Sequence, residues 1–160
     1  GSLYIDGSTC ASPNVAAVTA LSNGKAWAHN VTISAPLRAE ASNGLWATEG
    51  GIIEAQNSNI TGMNSGIDAQ NGGIIECNYC TISNSYGSGV VADGGMVLGA
   101  RLISKGSRTG YGFVALHQGN MKLSGVASST TDNNSGSFSV ETAGSGNGGS
   151  YVASTIAIAN

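Results

Sequence analysis

The chain has 160 residues, of which 9% are charged, 6% are aromatic and 25 are glycine, and its formal net charge is −3. The negative net charge argues against a basic surface that would bind nucleic acid. The lack of a run of about 18 apolar residues argues against membrane insertion. Because Gly, Asn and Ser favour turns, many short strands within one domain are the natural expectation.

The sequence repeats with a period of about 22 residues, which is too short for ankyrin, tetratricopeptide or propeller units. Residues 3–24 form a weak first copy and residues 25–51 a longer second one. Residues 52–73 and 74–95 follow as consecutive copies that share an Ile-Ile-Glu start, and residues 96–119 form the next. Three short alternating segments in each copy predict an all-β, right-handed parallel β-helix of about five rungs.

Alternating apolar residues are expected to stack into inward columns, since a spacing of two places side chains on one face of a strand. The predicted columns are, in the first strand, Ile53, Ile75 and Val97, then Ala28, Ala55 and Cys77; in the second strand, Ile33, Ile60, Ile82 and Ile103; and in the third strand, Leu45, Ile67, Val90 and Phe113, then Ala47, Ala69, Ala92 and Ala115. Together they predict a dry interior with layers about 4.8 Å apart.

Glycines recur at two places in the repeat, and corners of a solenoid need positive φ or close backbone approach, which Gly tolerates. The recurring glycines are Gly44, Gly66, Gly89 and Gly112 before the third strand, and Gly51, Gly73 and Gly95 at the ends of rungs.

The repeat fails near residue 129, so we expect β-helix rungs over residues 1–129 and a Gly/Ser-rich segment over 130–160. Two strand-like pieces, 138–140 and 151–160, make this segment β-rich. It is predicted to cap the solenoid or to form a trimerisation segment, because an open rung exposes unpaired backbone groups.

The outward column of the first strand contains Trp27, Glu54 and Glu76, with His29 beside it. An exposed indole suits stacking on a sugar ring, and this applies to Trp27 and also to Trp46 in the third strand. The alternative is burial of both indoles under the longer loop of their rung.

Paired carboxylates are the candidates for catalysis. Glu54 and Glu76 are expected on adjacent rungs about 5 Å apart, where repulsion raises one pKa and can create a general acid. Asp68 is a further candidate, and such separations are compatible with glycoside hydrolysis. The alternative is that these carboxylates merely solvate an exposed strand.

The outward column of the third strand reads Trp46, Asp68, Val91 and Val114. Exposed apolar columns usually mark a contact surface, so this face is predicted to pack against identical copies about a three-fold axis. The alternative is that the terminal segment folds back over it.

The outward face of the second strand is a small polar ladder. Its members are Thr32, Asn59 and Thr81, then Ser34, Thr61 and Ser83. Such a ladder could contact a ligand or, if regular, ice, but Leu102 and Lys105 are expected to break it in the next rung.

Cys77 and Cys80 form a C-x-x-C pair that is compatible with zinc or redox chemistry. Small core residues explain both better, since Cys77 shares its column with alanines and no second C-x-x-C exists. We therefore predict no metal site and no cofactor.

Residues 89–96 read GVVADGGM, and residues 111–116 read YGFVAL with Gly119 following. Over about residues 25–125 this pattern resembles the β-helices of bacteriophage tail fibres and tailspikes. The resemblance implies an elongated homotrimer at the virion tail, outside the cell, that attaches to host surface polysaccharide and in some members cleaves it. No catalytic motif of the family is identifiable, so no catalytic residue is carried over.

The leading hypothesis is therefore a receptor-binding or structural part of a tail fibre or tailspike, because about five rungs are few for a long substrate groove. The residues predicted to contact glycan are Trp27, His29, Trp46, Glu54, Glu76, Thr32, Asn59 and Thr81. The alternatives are a polysaccharide lyase or hydrolase, with Arg38 or Arg101 near the carboxylates, an ice-binding solenoid and, more weakly, an autotransporter passenger.

Overall fold

The computed structural model describes residues 1–11, 15–35 and 42–125, together with the backbone of 127–128, 136–140 and 155–159. The described residues form strands joined by turns, and none of them is helical. The strands are β1 (Ser2–Asp6), β2 (Thr9–Ala11), β3 (Ala16–Ala20), β4 (Lys25–His29), β5 (Thr32–Ser34), β6 (Asn43–Ala47), β7 (Ile52–Gln56), β8 (Asn59–Thr61), β9 (Ser65–Gln70), β10 (Ile74–Asn78), β11 (Thr81–Ser83), β12 (Val90–Asp93), β13 (Met96–Ala100), β14 (Ile103–Lys105), β15 (Tyr111–Leu116), β16 (Asn120–Ser124), β17 (Ala127–Ser128), β18 (Gly136–Val140) and β19 (Thr155–Ala159).

Every third strand along the chain joins the same sheet, and this makes the fold a parallel β-helix. The first sheet has the order β1-β4-β7-β10-β13-β16-β19, the second β17-β14-β11-β8-β5-β2, and the third β18-β15-β12-β9-β6-β3. Neighbouring strands in all three sheets are parallel, so each turn of the chain adds one layer to the stack. The predicted fold class is confirmed.

The predicted inward columns of the first and third sheets are confirmed by the strand register. Ile75 lies between Ile53 and Val97, and Ala69 pairs with Ala92. These side chains are buried in one continuous core that runs through the layers. Residues one period apart are therefore vertical neighbours.

The inward column of the second sheet was predicted wrongly at its fourth member. Ile82 pairs with Ser104, whereas Ile103 pairs with Thr81 and is 38% exposed. The Ile103 amide donates to the Cys80 carbonyl, which places Leu102 in the core above Cys80. Ser104 is accommodated inside because its hydroxyl donates to the Gly112 carbonyl at 2.9 Å.

Close approach of neighbouring layers explains the two sets of recurring glycines. A Cβ on Gly73 would lie 2.2 Å from the Ala47 carbonyl oxygen, and one on Gly66 would lie 2.3 Å from the Ile82 Cγ2. Positive φ angles occur at the turn residues just before the rung-end glycines, such as Asn71 and Gly72, and also at the corner between the first and second strands, as at Asn57 and Tyr79. The Gly73 amide closes that turn by donating to the Gln70 carbonyl at 2.7 Å.

Both strand-like pieces predicted beyond the repeat contain strands that extend the stack. β18 pairs in parallel with β15, and β19 pairs in parallel with β16. Their backbone continues the third and first sheets by one layer. The remainder of residues 130–160 lies outside the described residues, and its role as a cap or trimerisation segment stays a prediction.

Candidate functional site

The outward face of the first sheet brings together four of the eight predicted glycan-contacting residues. Its central column runs Tyr4, Trp27, Glu54 and Glu76 on four successive strands. His29 lies in the next column, two residues further along β4. Tyr4 was missed by the sequence reasoning, although it stands one repeat before Trp27 and its position could have been found from the period.

Side-chain contacts hold this face in a defined arrangement. The Trp27 Nε1 donates to the Glu54 Oε2 at 3.0 Å, and the Asn78 Nδ2 donates to the Glu76 Oε1 at 3.0 Å. The Tyr4 and His29 rings meet edge to face, with centroids 5.8 Å apart. Each contact links neighbouring strands or neighbouring columns, so the Tyr4 and Trp27 rings and two carboxylates are displayed together on one sheet.

Glu54 and Glu76 lie in the middle of this face, whereas Asp6, Lys25 and Lys122 lie nearer its edges. Glu54 and Glu76 are directly paired in register and exposed, which puts two like charges about 5 Å apart by strand spacing. Along the same column Leu98 separates Glu76 from Lys122. The face therefore offers aromatic surface beside carboxylate oxygens that can accept hydrogen bonds from hydroxyl or ammonium groups.

Asp68 lies on the outer side of the third sheet, but it is buried rather than exposed, at 5% of its possible surface. The Asn43 Nδ2 and the Gln70 Nε2 each donate to its Oδ2 at 2.9 Å. Within the part of the chain that the structure describes, its Oδ1 has no hydrogen-bond partner. The prediction of Asp68 as a surface carboxylate is therefore wrong, since Trp46 and Val91 flank it in register on the neighbouring strands.

Burial is the main reason why the pKa of Asp68 is raised from 3.8 to about 6, and the Asp93 carboxylate raises it as well. Asp93 itself contacts the His117 Nδ1 at 2.5 Å through its Oδ1. His117 is exposed, and its pairing with Asp93 was not predicted from the sequence.

Trp46 is half-buried on the third sheet, where its Nε1 donates to the Gln70 Oε1 at 3.2 Å. The two predicted indoles thus lie on different sheets, and only Trp27 joins the carboxylate column. Residues 36–41, which include Arg38 and most of the loop expected to cover the indoles, lie outside the described residues.

The apolar column predicted to be exposed is not an open surface. Val91 is half-buried and Val114 is 7% exposed. A side chain on an inner strand is flanked by side chains of the layers on both sides, which removes much of its surface from water. The prediction that this column is exposed is therefore wrong, and the column does not supply the apolar surface from which three-fold packing was predicted.

The polar ladder on the second sheet is in register over Thr32, Asn59 and Thr81. It ends at Ile103 and, in the parallel column, at Lys105. The expectation that Leu102 would break the ladder was wrong, since Leu102 points into the core.

Cys77 and Cys80 are buried free thiols, and burial raises the pKa of the Cys77 thiol. Among the described residues, no group of three or more His, Cys, Asp and Glu side chains is placed to hold a metal ion. The Arg101 guanidinium stacks over the Tyr79 ring at 5.4 Å, and the structure records no ion pair between it and a described carboxylate.

Within the described residues, no helix is long and apolar enough to cross a membrane. Comparisons with known proteins give no family model, no curated protein and no solved structure that this chain matches.

Proposed function

We propose that the outward face of the first sheet binds host surface polysaccharide, and that the chain is a receptor-binding or structural part of a bacteriophage tail fibre or tailspike. The observation that carries the binding proposal is the in-register column Tyr4, Trp27, Glu54 and Glu76. The tail-fibre context is supported by the repeat pattern of residues 89–96 and 111–116, since a fold alone does not specify a function.

Aromatic rings and carboxylates on one face are complementary to the apolar ring face of a sugar and to its hydroxyl groups. The apolar face of a pyranose ring packs on an indole or phenol ring, as at Trp27 and Tyr4. Its hydroxyl groups donate to carboxylate oxygens such as those of Glu54 and Glu76. The column runs along the solenoid axis, so successive strands would contact successive parts of an extended glycan.

The same column favours neutral or amino-sugar polysaccharides over anionic ones. Glu54 and Glu76 are exposed and adjacent, and a sugar carboxylate or phosphate placed beside them would be repelled. Lys122 lies two strands beyond Glu76, and Lys25 pairs with Ile52 in the neighbouring column, so neither lysine is paired in register with a glutamate. A glycan with free hydroxyl or ammonium donors fits this face best.

The test is binding of the purified chain to immobilised bacterial surface polysaccharides, one set neutral and one set rich in uronic acids. We expect binding to the neutral set, and Trp27→Ala should weaken it about tenfold. Glu54→Gln keeps an acceptor for the indole while removing a charge, so it should retain neutral binding and relax the exclusion of uronic acids. Thr32→Ala, on the second sheet, is the matched control and should bind as the parent does. Equal binding by Trp27→Ala and the parent would contradict the proposal.

A polysaccharide hydrolase or lyase is the second candidate, and the raised pKa of Asp68 beside Asp93 favours it. Its weakness is that the Asp68 carboxyl is buried, whereas a general acid must reach the glycosidic oxygen. Release of oligosaccharides from a bound polysaccharide, lost in Asp68→Asn or in Glu54→Gln with Glu76→Gln, would make this candidate the better one. Binding without release by the parent chain would remove it.

A further inference from the structure

Two buried thiols flank the corner between the first and second sheets in the layer of residues 74–95. Cys77 is the fourth residue of β10, and Cys80 directly precedes β11. Both side chains belong to the core and are fully buried, whereas Tyr79 between them is 51% exposed. The chain turns at Tyr79, which has a positive φ of 57°. Both cysteines therefore enter the same interior from the two sides of one corner. A disulfide requires this, because side chains that point apart cannot be bridged.

The backbone of this corner is held by the layers on both sides. The equivalent residues Asn57 and Arg101 also have a positive φ, 52° in each, so the corner repeats from layer to layer. The Tyr79 amide donates to the Ala100 carbonyl at 2.8 Å, and the Asn57 amide donates to the Asn78 carbonyl at 3.0 Å. The separation of the two cysteines is thus set by the fold rather than by a flexible loop.

The two thiol groups interact with each other. The Cys80 thiol donates to the Asn78 carbonyl at 3.5 Å, so its sulfur lies against the backbone that joins it to Cys77. A hydrogen bond from the Cys77 thiol lowers the pKa of the Cys80 thiol, although burial opposes this effect. Burial raises the pKa of the Cys77 thiol. Because the thiolate is the reactive form, Cys80 is the group that attacks first, and Cys77 is the group that follows.

Most of the side chains that stack on the pair are small. Ala55 and Ser58 occupy the equivalent positions in the preceding layer, and Gly99 and Leu102 occupy them in the following layer. Of these four residues, only Leu102 is large. Bringing the two sulfur atoms to bonding distance therefore displaces few bulky groups, whereas an overpacked core would resist the change.

We propose that Cys77 and Cys80 are a site of covalent modification, at which a low-molecular-weight disulfide such as oxidised glutathione converts the two thiols into a disulfide bond. The Cys80 thiol loses its proton, and the thiolate attacks one sulfur of the oxidant and releases one glutathione thiolate. The Cys77 thiol then loses its proton and attacks the Cys80 Sγ of the mixed disulfide, which releases the second glutathione thiolate. The pair gives up two electrons and two protons, and the oxidant becomes two thiols.

Both thiols are buried in the folded chain, so the exchange takes place while the corner is open, during folding or local unfolding. Refolding of the layer then encloses the bond in the core. The inference goes beyond polysaccharide binding and does not depend on it.

The experiment compares the folded and the unfolded chain in one redox buffer. Every protein carries Cys10→Ser, which leaves Cys77 and Cys80 as its two thiols. Each is brought to equilibrium with reduced and oxidised glutathione, with and without urea, and is then quenched, alkylated and analysed by mass spectrometry. The matched control adds Cys80→Ser and Thr81→Cys, because Thr81 pairs with Asn59 on the outward face of the second sheet and its position does not face Cys77.

We expect the ratio of disulfide to dithiol to be at least about tenfold higher in the folded chain than in urea, because the fold holds the two thiols together. The control should show no such increase. An equal or lower ratio in the folded chain overturns the proposal, and so does the same increase in the control. A folded chain that accumulates glutathione on one cysteine without closing the bond overturns it too.

Discussion

Asp68 should make the stability of this protein fall as the pH rises through the weakly acidic range. Its pKa is about 6 in the folded chain, compared with 3.8 for an ordinary Asp, because burial disfavours the charged form. The folded state therefore holds a proton more tightly than the unfolded state. The loss of stability caused by ionising the buried carboxyl is absent below about pH 4, grows between about pH 4 and pH 6, and is complete above that range.

The magnitude follows from the size of the shift. Raising the pKa of Asp68 by about two corresponds to about 3 kcal/mol of free energy of unfolding, because each pKa unit corresponds to about 1.4 kcal/mol. Asp68→Asn removes the titration while leaving an oxygen for the Asn43 and Gln70 amides. Between pH 4 and pH 7 the parent should therefore lose about 3 kcal/mol of free energy of unfolding relative to Asp68→Asn. Other groups titrate in both proteins, so their contributions cancel when the two free energies are subtracted.

The assay is urea unfolding of both proteins, followed by tryptophan fluorescence, at steps from pH 4 to pH 8. Asp93→Asn is the second arm, because Asp93 contributes to the raised pKa of Asp68. In that variant we expect a smaller loss of stability, completed at a lower pH. A parent and an Asp68→Asn variant with parallel pH profiles would refute the reasoning and show that Asp68 is solvated.

Three further predictions concern the glycines, the core register and the assembly. Gly73→Ala should destabilise the fold by about 2 kcal/mol or more, because a Cβ would lie 2.2 Å from the Ala47 carbonyl oxygen. At Gly72 a Cβ has room, so Gly72→Ala should cost only about 1 kcal/mol, from its positive φ. Thermal unfolding of both variants would compare them, and an equal loss would contradict the close approach. Ile82→Ala should cost about 2–5 kcal/mol as a core truncation and Ile103→Ala less than about 1 kcal/mol, so similar urea midpoints would place Ile103 in the core. The homotrimer that the tail-fibre resemblance implies predicts a solution mass three times that of the chain in sedimentation equilibrium, and a monomer mass would contradict it.

The column proposed to bind polysaccharide could be located from the sequence in part. The repeat alone aligned Trp27, Glu54 and Glu76, because residues one period apart must stack when every layer repeats the same path. It did not reveal that the Trp27 indole is tied to Glu54, since a hydrogen bond depends on rotamers that the period does not specify. Tyr4 was overlooked because the first copy of the repeat is weak.

The errors have a common cause in how burial was inferred. Ile103 was assigned to the core because it is apolar, although the period itself places Ser104 there, and a hydroxyl can be buried when a nearby carbonyl accepts from it. Asp68 and Val114 were taken as exposed because they lie on the outer side of a strand. In the structure both side chains are buried. The alternation of residues along one strand does not show this, because it carries no information on the neighbouring strands.

The architecture could be inferred from the repeat: a 2-residue alternation within strands and a period of about 22 residues specify three parallel sheets and their inward columns, since both signals are local and recur in each layer. The packing of the layers was needed to show which outward residues are covered and which carboxylate is forced toward its neutral form. Those properties depend on distances between side chains of different layers, and burial and electrostatics act through space rather than along the chain.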